Sequence, residues 1–123
     1  MIKFIIPIAP VTKKNSQQIR RNFKTGKPFI AQSDAYRAYE DACGWFLKPL
    51  GITCQINIKA LYYLAKPRRT DITNLHSALH DVLVKHGVIA DDNYNIVVST
   101  DGSRVYVDKA NPRTEVEITE AKT

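Results

Sequence analysis

Residues 66–93 read KPRRTDITNLHSALHDVLVKHGVIADDN, which places a cationic loop, an amphipathic segment and an acidic corner in one short span. Leu75, Ala78, Leu79, Val82 and Leu83 recur at i, i+3, i+4, i+7 and i+8, the spacing that gathers side chains on one stripe of an α-helix. The spacing predicts a helix with one buried face. Thr70, Asp71, Thr73 and Asn74 supply oxygens suited to capping its first turn. His86-Gly87 predicts its end, with glycine at the left-handed position. Asn74 and Asp81, seven residues apart, fall on nearly the same stripe, away from Leu79 and Leu83, so that stripe is polar.

Working outward, Cys54, Ile56, Ile58 and Ala60 alternate with Gln55, Asn57 and Lys59. This period of two predicts the longest strand, from Thr53 to Ala65, which delivers the chain to Lys66 and Asp71. Ser33-Asp34 opens an earlier helix, in which Tyr36, Tyr39, Cys43, Phe46 and Leu47 recur at helical spacing until Lys48-Pro49. That stripe is expected in the core. Trp45 lies off its centre and is expected to be partly buried, with a subunit interface as the alternative. Ile2 to Ala9 reads as a strand that Pro7 and Pro10 place at an edge or end. Ile19 to Phe23 and Pro28 to Ile30 flank Lys24-Thr25-Gly26-Lys27, a hairpin signature with a cationic tip. Further on, Asn95 to Ser99 and Arg104 to Asp108 flank Asp101-Gly102, a second hairpin signal, and Asn111-Pro112 turns the chain into a last strand, Thr114 to Thr119. Glu115 and Glu117 are expected on its solvated face, while Arg104 and Arg113 face DNA or pair with local acids. The order β, hairpin, α, β, α, hairpin, β predicts an α+β fold, a single domain over residues 1–123 with a mixed β-sheet and helices packed on one side.

A chain of 123 residues, 44% hydrophobic, is long enough for one core and too short for two. Its formal net charge of +6 favours a polyanionic partner. The distribution sharpens this: no acidic residue precedes Asp34, while Lys3, Lys13, Lys14, Arg20, Arg21, Lys24 and Lys27 are all basic. The hairpin tip reads as an arm that grips phosphate, or alternatively as an ordinary solvated loop. Cys43 and Cys54 lack metal-ligand spacing and read as buried thiols in a reducing compartment. No apolar run reaches membrane-spanning length, and MIKFIIPIAPV is too short and proline-broken for a signal peptide, so a soluble, cytoplasmic protein without a membrane partner or an organic cofactor is expected. His76 and His80 lie one helical turn apart. Without the glutamate of an HExxH motif or a third ligand, they read as a solvated or subunit-facing pair in preference to a zinc site.

The carboxylates suggest metal-assisted work on a phosphate backbone. Asp71 and Asp81 are separated by roughly 15 Å along a helix, too far to share one ion. The segment from Gly87 to Asp91, extended at about 3.3 Å per residue, is long enough to bring Asp91 and Asp92 back towards Asp71. Mg²⁺ takes oxygen ligands, usually one or two carboxylates with waters and substrate phosphate, so Asp71 with Asp91 or Asp92 would suffice. In the alternative reading Asp71 only caps the helix and Asp91-Asp92 form a turn before Tyr94.

The runs RRTDITNL, HDVL with Asp81, and GVIADDN resemble, in order and spacing, the core signature of RusA-type Holliday junction resolvases, small dimeric endonucleases of phage and prophage origin. The chain departs from that pattern at Thr73, where a second aspartate is expected, and at Ser77, where a helix lysine is expected. The resemblance implies an Mg²⁺-dependent endodeoxyribonuclease, with Mn²⁺ as a substitute. It would act as a homodimer on branched DNA and resolve the four-way junction by paired symmetric nicks in recombination or repair. A two-fold dimer also suits a two-fold substrate on general grounds. Asp71, Asp91 and Asp92 become the catalytic, metal-holding carboxylates, with Asn74 and Asp81 orienting them. Lys13, Lys14, Arg20, Arg21, Lys24, Lys27, Lys66, Arg68 and Arg69 are expected on the DNA backbone, and Arg68, Arg69 or Lys85 to stand in for the helix lysine. The rival reading is a non-catalytic branched-DNA-binding homodimer that retains the fold.

Overall fold

Alternating burial along Ile56–Leu64 marks the central strand, β4, of the computed structural model. The structure describes residues 1–13, 17–21, 24–32 and 34–121, with residues 17–21 and 29–32 described through their backbone alone. On β4, Ile56, Ile58, Ala60, Tyr62 and Leu64 are buried while the side chains between them are half-exposed, because successive strand residues point to opposite faces. The strand is shorter than the expected span from Thr53 to Ala65, and Cys54 precedes its pleat. That thiol is therefore exposed rather than buried. Cys43 is buried as expected, and desolvation pushes its thiol up to about 11.

β7 (Arg113–Glu120) pairs antiparallel with β4, and β1 (Ile2–Ile6) pairs antiparallel with β7. Pro7 ends β1, which stands at the sheet edge where a missing N–H is tolerated. On the other side of β4 lie β5 (Val97–Ser99) and β6 (Arg104–Val107), completing a mixed five-stranded sheet. The second hairpin read from Asp101-Gly102 does not form, since β5 and β6 both run parallel to β4, one after the other. The turn between them is a jog in one interrupted edge strand. Asn57 bridges it by accepting from the Ser99 hydroxyl (2.6 Å) and the Asp101 N–H (2.8 Å), and the Ser103 hydroxyl accepts from the Ala60 N–H (3.0 Å). These side chains replace the ladder bonds that the jog interrupts.

The cationic hairpin is present. β2 (Gln17–Arg21) pairs antiparallel with β3 (Pro28–Gln32) in a separate two-stranded sheet, and Gly26 at φ 69° supplies the left-handed residue of its turn.

α1 (Asp34–Cys43) buries Tyr36, Tyr39 and Cys43, then tightens into a 3₁₀ turn over Gly44–Phe46. Ser33, expected to cap it, lies outside the described residues. The tightening rotates the following side chains off the apolar stripe. Phe46, expected in the core, is consequently 43% exposed, and Trp45, expected to be partly buried, is 87% exposed. α2 (Ile72–Lys85) buries Leu75, Ala78, Leu79, Val82 and Leu83, and Gly87 at φ 72° follows its end. The two helices join at these ends. His86 Nε2 pairs with the Glu40 carbonyl at 2.8 Å, and the ring lies so close to Gly44 that a Cβ there would meet it at 2.6 Å. The buried residues of both helices share one core with β4, Ile6, Val116 and Ile118. The helices therefore cover one face of the sheet, and Lys3, Lys59, Glu115 and Glu117 line the other. Arg113, on that open face, pairs with Asp108 and Glu115 and stacks on Tyr63. No helix among the described residues is long and apolar enough to cross a membrane.

Candidate active site

The end of β4 feeds an exposed loop of Lys66, Arg68 and Arg69, and the chain then enters α2 through Asp71. Asp71 has an extended backbone, and its carbonyl accepts from the N–H groups of Asn74 (3.0 Å) and Leu75 (3.2 Å). Its carboxylate makes no capping hydrogen bond and is exposed. Asn74 is half-buried in the first turn. Later on the helix, the Asp81 carboxylate forms an ion pair with Lys13 Nζ.

Beyond α2 the chain turns back under firm backbone control. The Val88 N–H donates to the Leu83 carbonyl at 2.9 Å, and residues 87–90 pair with the segment around Ile52 through a parallel bridge at Ile89. Val88 and Ile89 are buried, which leaves Asp91 and Asp92 at an exposed corner. Asp91 braces that corner, accepting from the Asp92 N–H (2.7 Å) and from Asn93 Nδ2 (3.0 Å). Partial desolvation, the charge of Asp81 and a side-chain hydrogen bond with Asp91 push the Asp92 carboxyl above its ordinary value. Among the described residues, no three Asp, Glu, His or Cys side chains converge into a cage that could enclose an ion by themselves.

The cations fall into distinct settings. Arg68 Nη2 donates to the Pro10 carbonyl at 2.7 Å, while Lys13 reaches Asp81. Residues 10–13 therefore run alongside α2, from the loop that precedes it to the turn that carries Asp81. Lys85 is held by α1 instead, with Nζ 2.9 Å from Glu40 Oε1 and 2.7 Å from Asp41 Oδ1. Lys24 and Lys27 lie exposed at the hairpin tip. Lys14 and the side chains of Arg20 and Arg21 lie outside the described residues. The contact of Lys13 with Asp81 escaped the sequence reading, because an ion pair between distant segments leaves no local pattern.

The family model for the endodeoxyribonuclease RusA matches residues 7–119. The chain belongs to the RusA family. No curated protein matches it. As a member of the RusA family the chain is an endodeoxyribonuclease of the Holliday junction resolvase class. Thr73 and Ser77, which depart from the family signature, are both exposed on α2, and Ser77 stands one turn before Asp81.

The paired histidines of this RusA-family chain are half-buried. The Tyr62 hydroxyl and His76 Nδ1 share a 2.7 Å hydrogen bond, and His76 stacks on His80 at 5.7 Å between ring centroids. His80 Nε2 is buried without a hydrogen-bond partner among the described residues. Desolvation lowers both imidazoles, His80 to about 4, with the neighbouring His76 adding to the effect and Asp81 opposing it. Both rings are therefore neutral in the folded protein at neutral pH. An unfolded imidazole titrates near 6.5, so between that value and about 4 the unfolded chain binds the extra proton. Stability is expected to be full above pH 6.5 and to fall by roughly 3 kcal/mol as the pH drops towards 4. Thermal melts of wild type and His80→Gln across pH 7 to 4 check this. The variant should lack most of the slope, and equal slopes would contradict the assignment.

Proposed function

We propose that the chain resolves four-way DNA junctions by divalent-metal-dependent hydrolysis of phosphodiesters, with Asp71, Asp91 and Asp92 holding the ion and Asn74 and Asp81 orienting them. The observation that carries this reading is the family match, and the exposed corner where Asp91 braces Asp92 agrees with it. Like charges raise a carboxyl unless a cation relieves them, and clustered carboxylates of this kind mark functional corners. Oxygen donors without sulfur or imidazole suit Mg²⁺, with Mn²⁺ as a substitute. An incomplete cage also suits it, because Mg²⁺ keeps several waters and takes substrate phosphate as a further ligand. When bound, such an ion supplies an activated water and offsets charge on the phosphate.

The chain's own groups do the remaining work. The exposed Lys66, Arg68 and Arg69 precede the acidic corner, and Lys24 and Lys27 extend from the hairpin; with Lys14, Arg20 and Arg21 they hold the DNA backbone through phosphate contacts that carry no sequence information. Paired nicks on a two-fold junction call for two equivalent centres, which a homodimer provides. The setting is a cytoplasmic one, in recombination or repair. Chelation of the divalent ion is expected to stop nicking of a synthetic four-way junction while binding persists, and readdition of Mg²⁺ or Mn²⁺ to restore it. Nicking undiminished in chelator would sink the metal-dependent reading.

A further inference from the structure

We propose that Lys13 is the cation that stabilises charge on the scissile phosphate, an assignment that rests on reading the acidic corner as the nuclease centre. Asp81, Asp91 and Asp92 together repel an approaching phosphodiester, and the repulsion grows as its non-bridging oxygens gain charge in the transition state. Lys13 meets that charge from the right place. Its Nζ pairs with Asp81 on α2, and the same short segment is tied at Pro10 to Arg68 of the loop that leads into Asp71.

The position of Lys13 is built into the fold. Upstream, Arg68 holds the Pro10 carbonyl, and Thr12, next to Lys13, is buried at 1% exposure. The side chain of Lys13 is 34% exposed, so its ammonium can meet DNA without leaving Asp81. Lys85 and Arg113 are held by acids elsewhere on the chain, Glu40 with Asp41 and Asp108 with Glu115. Asp81 is accordingly a positioning residue that aims Lys13. In the reaction the oxygen of water forms a new bond to phosphorus and gives up a proton to solvent, one bridging P–O bond breaks, and the departing sugar oxygen takes a proton from solvent. Lys13 keeps its proton throughout and contributes charge alone.

The test compares wild type, Lys13→Ala, Lys13→Met and the double variant Lys13→Ala/Ser77→Lys. It measures the single-turnover nicking rate at saturating protein, junction affinity against salt, and thermal stability. Ser77 is exposed and lies at i, i+4 from Asp81, so a lysine there can reach the same carboxylate from the helix. The assignment predicts that Lys13→Ala lowers the saturated nicking rate about 100-fold, the scale of losing one preorganised charge-stabilising donor. Junction affinity should stay within about threefold with the salt slope little changed, and Ser77→Lys should recover most of the lost rate. Lys13→Met keeps the apolar stem and should show the same loss even if Lys13→Ala melts early. Either of two results would overturn the assignment: a full nicking rate in both single variants, or weakened binding with a salt slope lower by about one and an unchanged saturated rate, which marks a simple backbone grip. Wild type that binds junctions but nicks none would overturn the nuclease reading itself, and this assignment with it.

Discussion

Asp92→Asn is expected to lower junction nicking by more than about 100-fold, because even residues that only orient metal ligands cost 10- to 100-fold when changed. The substitution keeps the shape of the side chain and removes its charge. Asp92 is exposed and contributes its N–H to the bracing of the corner by Asp91, a backbone contact that asparagine retains. Folding should therefore be unaffected. The variant also relieves the repulsion among Asp81, Asp91 and Asp92, so junction affinity should hold or rise slightly. Rate and affinity are thus expected to move apart, which single-turnover cleavage and gel-shift titration of the same preparation measure. A variant that nicks at the wild-type rate would remove Asp92 from the reaction. Parallel loss of binding and rate would mean that it supports the DNA-binding surface instead.

Leu83→Ala carries the largest expected effect on stability. Leu83 is fully buried in the core shared by α2 and β4, and truncating such a leucine removes its transfer free energy and leaves a cavity, a cost of roughly 2–5 kcal/mol. In a domain of this size that lowers Tm by roughly 10 °C. The site feels the change as well, because the Leu83 carbonyl accepts from the N–H groups of Val88 and Ile89 at 2.9 and 3.5 Å and so starts the return towards Asp91. Thermal and denaturant melts measure the loss. A cost below about 1 kcal/mol would mean that the α2 stripe is not packed as described.

The parts of the fold that were legible in the sequence are those whose cause is local. The stripe from Leu75 to Leu83 and the alternation along β4 follow from burial on one side, and Lys24-Thr25-Gly26-Lys27 needs a residue that accepts positive φ. Local signals misled where direction matters. Asp101-Gly102 announces a turn but not whether the next strand reverses, and Asn57 and Ser103 let it continue parallel to β4. Trp45 and Phe46 follow the helical count only while the helix stays α, and the 3₁₀ turn ends that count. The histidines look solvent-facing by type, yet Tyr62 satisfies His76 from the neighbouring strand.

The site divides in the same way. Asp71, Asp81, Asp91 and Asp92 stand out by residue type and spacing, and the length of the segment after Gly87 sets how far it can return. Where it returns to depends on pairing between Ile52 and Ile89, a contact between segments far apart in the chain. The same holds for Lys13 and Asp81.

The most direct test of the account is strand-resolved nicking of a labelled synthetic four-way junction by the wild-type protein, beside a linear duplex of the same sequence, in Mg²⁺ and in chelator. Paired nicks at symmetry-related positions of the junction, dependent on the ion and absent from the duplex, are the predicted result. Tight junction binding without nicks in either Mg²⁺ or Mn²⁺ would contradict it and leave a branched-DNA-binding protein built on a nuclease fold.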